Sequence, residues 1–176
     1  MPQEVLIVFD FETTGLEADQ GDEIIEIGAV PIIDGVVRED CAFQALVDPD
    51  RPIPAESAAV HGITDEMVRG RPRVDVVMPE FLRYAGSHDL IAHNAEFDMS
   101  FVEACCRKLE LERPKGKVIC TKLLSRRVHP GERRHNLDDV CRRLGIDLGR
   151  RHRSIDDVLL TAKVYLALRE RLAAKG

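Results

Sequence analysis

The chain opens with a short apolar run, Val-Leu-Ile-Val-Phe at residues 5–9, that leads directly into Asp10 and Glu12. A β-branched run of this kind predicts a strand that is buried on both faces. Residues i and i+2 of a strand point to the same face, so the two carboxylates should lie side by side. A cation between them would relieve their repulsion, and hard oxygen ligands favour Mg²⁺ or Mn²⁺. The alternative, two solvated acids on an exposed strand end, fits the preceding apolar run less well.

The pattern along the rest of the chain predicts a single α/β domain over residues 1–176, with a mixed sheet flanked by helices. Apolar runs predict strands at residues 5–9, 24–33, 41–47, 90–92 and 118–120. Asp34-Gly35 is typical of a hairpin turn, so the first three strands should form an antiparallel meander. Helical spacing of apolar residues predicts helices at 64–69, 74–86, 95–110, 121–128, 136–144 and 154–174.

Several function classes are disfavoured by the sequence. No apolar stretch approaches the ~18 residues of a membrane-spanning helix, and the first residues lack the basic start of a secretory signal. The chain has five cysteines, an odd number, and no Cys-x-x-Cys pair. We therefore expect free thiols and a cytoplasmic location rather than a disulfide framework or a zinc site.

Charge is distributed unevenly between the two parts of the chain. The net charge is −6, but residues 1–100 hold 6 Lys+Arg against 21 Asp+Glu, and the remainder holds 19 against 10. This uneven distribution favours an acidic centre that binds cations and a basic region that binds a polyanion. The alternative is a random distribution of charged residues over the surface. We expect four arginines to contact the phosphate backbone of a nucleic acid: Arg126, Arg127, Arg133 and Arg134. The alternative is that they lie on solvated helix faces.

Two further acids follow later predicted elements, and each also has a purely structural interpretation. Asp98 falls in the first turn of a predicted helix behind Asn94, which is a good N-cap residue. Asp157 follows Ser154 in a Ser-x-x-Asp pattern that is typical of a helix cap. His152, five residues before Asp157, lies among arginines and by itself suggests a surface or phosphate-contacting residue.

Taken together and in order, these residues resemble a known enzyme family. Asp10-x-Glu12, Asp98 and His152-x₄-Asp157 are similar to the motifs of the DEDDh family of 3′→5′ exonucleases, and within it to the proofreading branch of bacterial replicative polymerases. The matching stretches are FDFETTGL (9–16), EIIEIGAV (23–30), VHGITDEMV (60–68), IAHNAEFDMSF (91–101), HNLDDVCRRLGI (135–146) and HRSIDDVLLTAKVYLAL (152–168).

The resemblance implies a ribonuclease H-like fold with a five-stranded mixed sheet, and two divalent metal ions, Mg²⁺ or Mn²⁺. It implies Asp10, Glu12, Asp98 and Asp157 as metal ligands and His152 as general base. Asp156 stands where an apolar residue is common in the family, so either Asp156 or Asp157 could be the metal ligand. The five-residue spacing from His152 favours Asp157.

The resemblance also implies a substrate and partners. It implies that the 3′ end of a nucleic acid, preferably single-stranded or frayed DNA, binds at Thr13, Thr14, Gly15, Leu16, His61, Asn94 and Phe97. Core packing is the alternative role for Leu16 and Phe97, and helix capping is the alternative role for Asn94. A DNA polymerase catalytic subunit is an expected partner, and no membrane is involved.

Three other functions stay open at this point. An RNA 3′ exonuclease of the same family, acting on oligoribonucleotides or tRNA ends, would carry the same residues. The run that ends in Asp10-x-Glu12-Thr13 is also similar to haloacid dehalogenase-type phosphatases, in which the first acid is the nucleophile. A non-catalytic binding module is the third. Because the chain ends at Ala-Ala-Lys-Gly just after the last predicted helix, a stand-alone enzyme, an excised domain and a polymerase subunit are all compatible with it.

Overall fold

The computed structural model describes residues 3–149 and 151–174; the four outermost residues of the predicted domain, including the final Lys-Gly, and Arg150 lie outside this description. The strands are β1 (Val5–Thr13), β2 (Ile24–Ile33), β3 (Val36–Val37), β4 (Phe43–Leu46), β5 (Asp89–Ala92) and β6 (Val118–Cys120). The α-helices are α1 (Ala55–His61), α2 (Asp65–Val68), α3 (Val74–Ala85), α4 (Ala95–Lys108), α5 (Thr121–Val128), α6 (Leu137–Leu144) and α7 (Ser154–Ala173).

The strands form one mixed sheet in the order β3-β2-β1-β5-β6, with β4 also paired to β2. β1 is antiparallel to β2 and parallel to β5, and β5 is parallel to β6. The predicted α/β class and mixed sheet are therefore confirmed. The sheet has six strands rather than five, because β2 is long enough to pair with two short strands along one edge: β3 pairs at residues 32–33 and β4 at residues 26–29.

The alternation of side chains along β1 supplies both faces of the sheet with core residues. Phe9 points to the face covered by α3 and α4, where its ring centroid lies 5.6 Å from that of Phe81. Leu6 and Val8 point to the opposite face and pack with Val158 of α7. β1 is buried on both faces, as its sequence predicts.

Two local predictions were wrong, for identifiable reasons. Helix α1 was not predicted, because its sequence Ala-Glu-Ser-Ala-Ala-Val-His has one large apolar residue, Val60, and that side chain is exposed. The predicted strand at 41–47 is reduced to β4, because a 3₁₀ turn at Glu39–Cys41 precedes it.

The structure also bears on two of the expected absences. Within the described ranges, no helix is both long and apolar enough to cross a membrane. The five cysteines are free thiols in the structure.

Candidate active site

Asp10 and Glu12 continue the alternation of β1 beyond its apolar part. They occupy the same face as Leu6 and Val8, which is the face that α7 covers. Across the antiparallel pairing with β2, Asp10 lies opposite Gly28, and Glu12 lies opposite Glu26. The carboxylates therefore lie where β1 approaches the N-terminal end of α7.

A third carboxylate reaches this point from the first turn of α7. One oxygen each of Asp10, Glu12 and Asp157 lie within 4.8 Å of one another, and we call these three residues the carboxylate cluster. Asp156 lies outside the cluster and lines a polar groove with Gln44 instead. Of the two aspartates, Asp157 is the one at the five-residue spacing from His152, and it is the one that lies in the cluster.

Asp98 reaches the same end of β1 from the other face of the sheet. It lies in the first turn of α4, is 1% exposed, and its Oδ1 accepts a hydrogen bond from the Phe11 backbone N at 3.0 Å. Asp98 therefore joins α4 to β1, and its charge also acts on Asp10.

Three of the acids, Asp10, Glu12 and Asp98, have pKa values above those of ordinary carboxyl groups. Burial and then the charges of Asp98 and Glu12 raise the pKa of Asp10 well above its usual value. Burial and then Glu26 raise the pKa of Glu12 to about 8, and burial raises the pKa of Asp98 to about 7. The site thus concentrates carboxylates whose ionised form needs added positive charge.

Arg151 supplies part of that charge, and the sequence analysis did not single it out. Its guanidinium forms an ion pair with Asp157, and its Nε donates to Asp138 of α6 at 2.6 Å. Its charge also lowers the pKa values of Asp10 and Glu12 against the dominant effect of burial. Only its place next to His152 in the sequence could have drawn attention to it.

His152 lies in the loop that leads into α7, outside the carboxylate cluster, with an exposed side chain and a positive φ of 69°. The predicted Ser-x-x-Asp cap was wrong. α7 begins one residue earlier than that pattern requires, so Arg153 is the N-cap residue and makes no side-chain capping hydrogen bond.

Arg153 instead pairs with Glu26 of β2, a second residue that the sequence analysis did not single out. The Glu26 carboxylate is fully buried and accepts hydrogen bonds from Arg153 and from the Ser154 backbone N. Burial opposes ionisation, but these hydrogen bonds prevail and leave the pKa of Glu26 below its usual value. A lone acid inside the apolar run IIEIGAVPII was the available signal.

A cavity of about 530 Å³ adjoins Glu12 between the end of β1 and α1. Most of the predicted substrate residues line it, as do residues of α1. Its lining includes Glu12, Thr13, Thr14, Gly15, Leu16, Val60, His61 and Phe97. Asn94 is absent from this lining. The Leu16 side chain is 75% exposed, so its alternative role in core packing is wrong.

The Thr-Thr-Gly turn is built from internal hydrogen bonds. The Thr13 hydroxyl donates to the Gly15 carbonyl at 2.6 Å. The Thr14 hydroxyl donates to Asp22 at 3.2 Å and accepts from the Glu23 backbone N at 3.0 Å. A Cβ at Gly15 would overlap the Asp22 carboxylate, so a larger residue there would displace this side chain. Both threonine hydroxyls are therefore engaged in hydrogen bonds within this region.

The other predicted contact residues differ in their surroundings. His61 is buried, burial lowers its pKa, and its Nδ1 accepts from the Ile63 backbone N at 3.0 Å, so the neutral ring carries its proton on Nε2. Phe97 is half-buried and packs 5.2 Å from the Phe101 ring, so it contributes to both core and cavity. Asn94 is the N-cap residue of α4, as predicted, but its side chain makes no capping hydrogen bond and instead accepts from Lys122 at 3.2 Å.

The four arginines expected on a phosphate backbone are exposed at one side of the molecule. Arg126 and Arg127 lie in the last turn of α5, and Arg133 and Arg134 lie in the loop before α6. None of the four side chains forms an ion pair with the part of the chain that the structure describes. Arg142 and Arg143, by contrast, pair with Asp139 and Glu132.

Comparisons with known proteins show the family to which the chain belongs. A family model described as "Exonuclease", of the RNase T type, matches residues 7–165. The chain is 42% identical over 175 residues to a DNA polymerase III subunit epsilon-like protein of Rhodobacter capsulatus, covering 97% of the chain and 24% of that relative. It is 38% identical over 177 residues to the PolC-type DNA polymerase III of Bacillus subtilis, covering 100% of the chain and 12% of that relative.

The chain is also similar to solved structures of exonucleases. Exonuclease X in complex with 5′ overhanging duplex DNA is 30% identical, with a TM-score of 0.75, covering 94% of this chain and 91% of that one. Exonuclease I of E. coli in complex with a dA16 oligonucleotide shares the fold at 13% identity, with a TM-score of 0.82, covering 97% of this chain and 42% of that one.

This chain belongs to the exonuclease family, and its fold is that of the ribonuclease H-like exonucleases. The family membership excludes the phosphatase alternative. The chain spans only about an eighth to a quarter of the length of the two polymerase-related proteins named above.

Proposed function

We propose that the protein is a metal-dependent exonuclease that hydrolyses phosphodiester bonds from the 3′ end of DNA, in proofreading or repair. One observation carries the proposal: the carboxylate cluster lies beside a cavity that adjoins Glu12 and is lined by exposed apolar side chains and by the Thr13–Thr14–Gly15 turn. A terminal nucleotide in this cavity would bring its phosphodiester next to Glu12.

The residues present fit divalent metal ions. The donors are carboxylate oxygens, which Mg²⁺ and Mn²⁺ prefer, and three come within 4.8 Å of one another. Asp10, Glu12, Asp98 and Asp157 would hold two ions between them. When bound, such a pair activates water and stabilises the charge on the attacking and leaving oxygens.

The chain's own residues have separable roles in this proposal. His152 accepts the proton of the attacking water as general base, a role for which an imidazole is the side chain used most often. Backbone groups of the Thr13–Thr14–Gly15 turn bind the terminal sugar, and the Nε2–H of His61 donates to the substrate. Leu16 and Phe97 contact the terminal base, because apolar and aromatic contacts tolerate any sequence. Asn94 contacts the substrate backbone beside Lys122.

The relatives support the choice of DNA and of a polymerase partner. Two relatives are named as DNA polymerase III proteins, and exonucleases X and I are solved with DNA. We propose a DNA polymerase catalytic subunit as the partner, and a cytoplasmic location, which the free thiols support. RNA remains the competing substrate, since the 2′-OH decides between them.

A primer–template with a mispaired 3′ end tests the proposal. With a 5′ label and Mg²⁺ or Mn²⁺, we expect a ladder that shortens from the 3′ end and is absent in Asp10→Asn and in EDTA. A 3′ label should be released at once as mononucleotide. Products that shorten from the 5′ end would refute the polarity, and faster digestion of the matching RNA strand would refute DNA as the substrate.

A further inference from the structure

A buried carboxylate of β2 fixes the start of α7. The Glu26 Oε1 accepts hydrogen bonds from Arg153 Nη2 at 2.5 Å and Nε at 3.2 Å, and its Oε2 accepts from Arg153 Nε at 3.0 Å. Oε2 also accepts from the Ser154 backbone N at 3.0 Å, and Gln44 donates to Oε1 at 3.0 Å. We call Glu26, Arg153 and the Ser154 amide the β2 clamp.

A second position on β2 shapes the same contact. A Cβ added at Gly28 would lie 2.7 Å from both the carbonyl carbon and the Oγ of Ser154. Glu26 and Gly28 are two residues apart on one strand and so face the same side. Glu26 accepts a hydrogen bond from the Ser154 backbone N. Gly28 lacks a side chain, which lets Ser154 pack closely against β2.

The clamp begins one residue after His152. The φ of His152 is 69°, a left-handed conformation that costs free energy for a non-glycine residue and persists only where the surrounding structure enforces it. The His152 side chain is exposed, so burial does not hold it. The adjoining contacts of Arg153 and Ser154 with Glu26 are therefore the restraint on the C-terminal side.

We propose that Glu26 is a positioning residue for catalysis. Through Arg153 and the Ser154 amide, it fixes the backbone of His152 and the first turn of α7, which carries Asp157. It thereby sets the placement of the general base relative to the carboxylate cluster. This inference rests on the proposed function, because it concerns the role of His152 in that reaction.

The test compares Glu26→Gln, Arg153→Gln, their double variant and Gly28→Ala with wild type. Arg169→Gln is the matched control, because the Arg169–Glu4 ion pair, at 2.9 Å, ties the other end of α7 to the start of β1. Four quantities are measured: hydrogen exchange of the amides at 151–157, melting temperature, and kcat and KM on 5′-labelled single-stranded DNA with Mn²⁺.

We expect the single clamp variants to exchange at least about 10-fold faster at 151–157 and to lose at least about 10-fold in kcat, since small misplacements of catalytic groups are costly. KM should stay within about 3-fold, because the clamp residues do not line the cavity beside Glu12. The double variant should regain melting temperature, because no buried charge is left unpaired, while its kcat stays low. Gly28→Ala should also lower kcat, because the added Cβ would displace Ser154 at the start of α7.

Recovery of kcat together with melting temperature in the double variant would show a merely structural role and overturn the proposal. Unchanged exchange at 151–157 in the single variants, or equal effects in Arg169→Gln, would overturn it as well. A failure of the proposed function can be distinguished from this result. In that case the wild-type protein would leave the 3′ end intact, independently of the hydrogen exchange measured in the variants.

Discussion

At the scale of single residues, the site brings together buried carboxyl groups whose ionisation is unfavourable. Asp10, Glu12 and Asp98 all have raised pKa values, chiefly through burial. Arg151 offsets part of this charge through its ion pair with Asp157. A protein that gathers acids in this way gains most from a bound cation, because the cation removes both repulsion and the cost of ionisation.

This charge predicts how stability depends on pH. A carboxyl group whose pKa is raised on folding stabilises the fold at low pH and loses that contribution as pH rises towards the folded pKa. For Glu12 that value is about 8 and for Asp98 about 7. The pKa of His93, lowered to about 4 by burial, gives the opposite slope, but only below its ordinary value of about 6.5.

We therefore expect the melting temperature in EDTA to fall by roughly 4 °C between about pH 6.5 and about pH 8. Glu12→Gln should reduce this fall, and excess Mn²⁺ should abolish it, because bound cations replace the protons. Scanning calorimetry at several pH values measures this. A melting temperature in EDTA that stays constant or rises over this range would contradict the assigned charge balance.

At the scale of elements, we expect the exposed arginines of α5 and of the following loop to contact the phosphates of a bound nucleic acid. Arg133→Glu with Arg134→Glu should weaken binding of a fluorescent single-stranded oligonucleotide in EDTA. It should also reduce the salt slope by roughly 1.4, about 0.7 for each lost phosphate contact. Arg38→Glu with Arg73→Glu makes the same charge change where the arginines already pair with Asp40 and Asp50. An unchanged slope in the first variant, or equal changes in both, would reject this surface.

The elements also show what sequence could and could not predict. β1 was predictable because its apolar run is buried on both faces, and the alternation placed Asp10 and Glu12 on one face. α1 was not, because no apolar period marks it. The clamp between Glu26 and Arg153 joins positions 127 residues apart, and local patterns do not reveal such a pair.

At the scale of the whole molecule, every part of the site depends on the central sheet. β1 supplies two carboxylates, α7 packs on one face and supplies a third, and α4 on the other face supplies Asp98. We propose that residues 1–176 form a single domain, since both apolar cores share the same strands. The family motifs predicted this convergence from sequence, whereas the pairing of Arg151 with Asp157 required coordinates, because the neighbour in sequence does not reveal the partner in space.

The central claim is that the carboxylate cluster holds the catalytic cations, and two neighbouring aspartates test it most directly. Asp157 belongs to the cluster and Asp156 does not. Mn²⁺ binding by calorimetry, with digestion of a 5′-labelled primer in parallel, should show that Asp157→Asn loses tight binding and more than about 100-fold in rate. Asp156→Asn should keep both. Equal losses in the two variants, or wild-type Mn²⁺ binding by Asp157→Asn, would contradict the account.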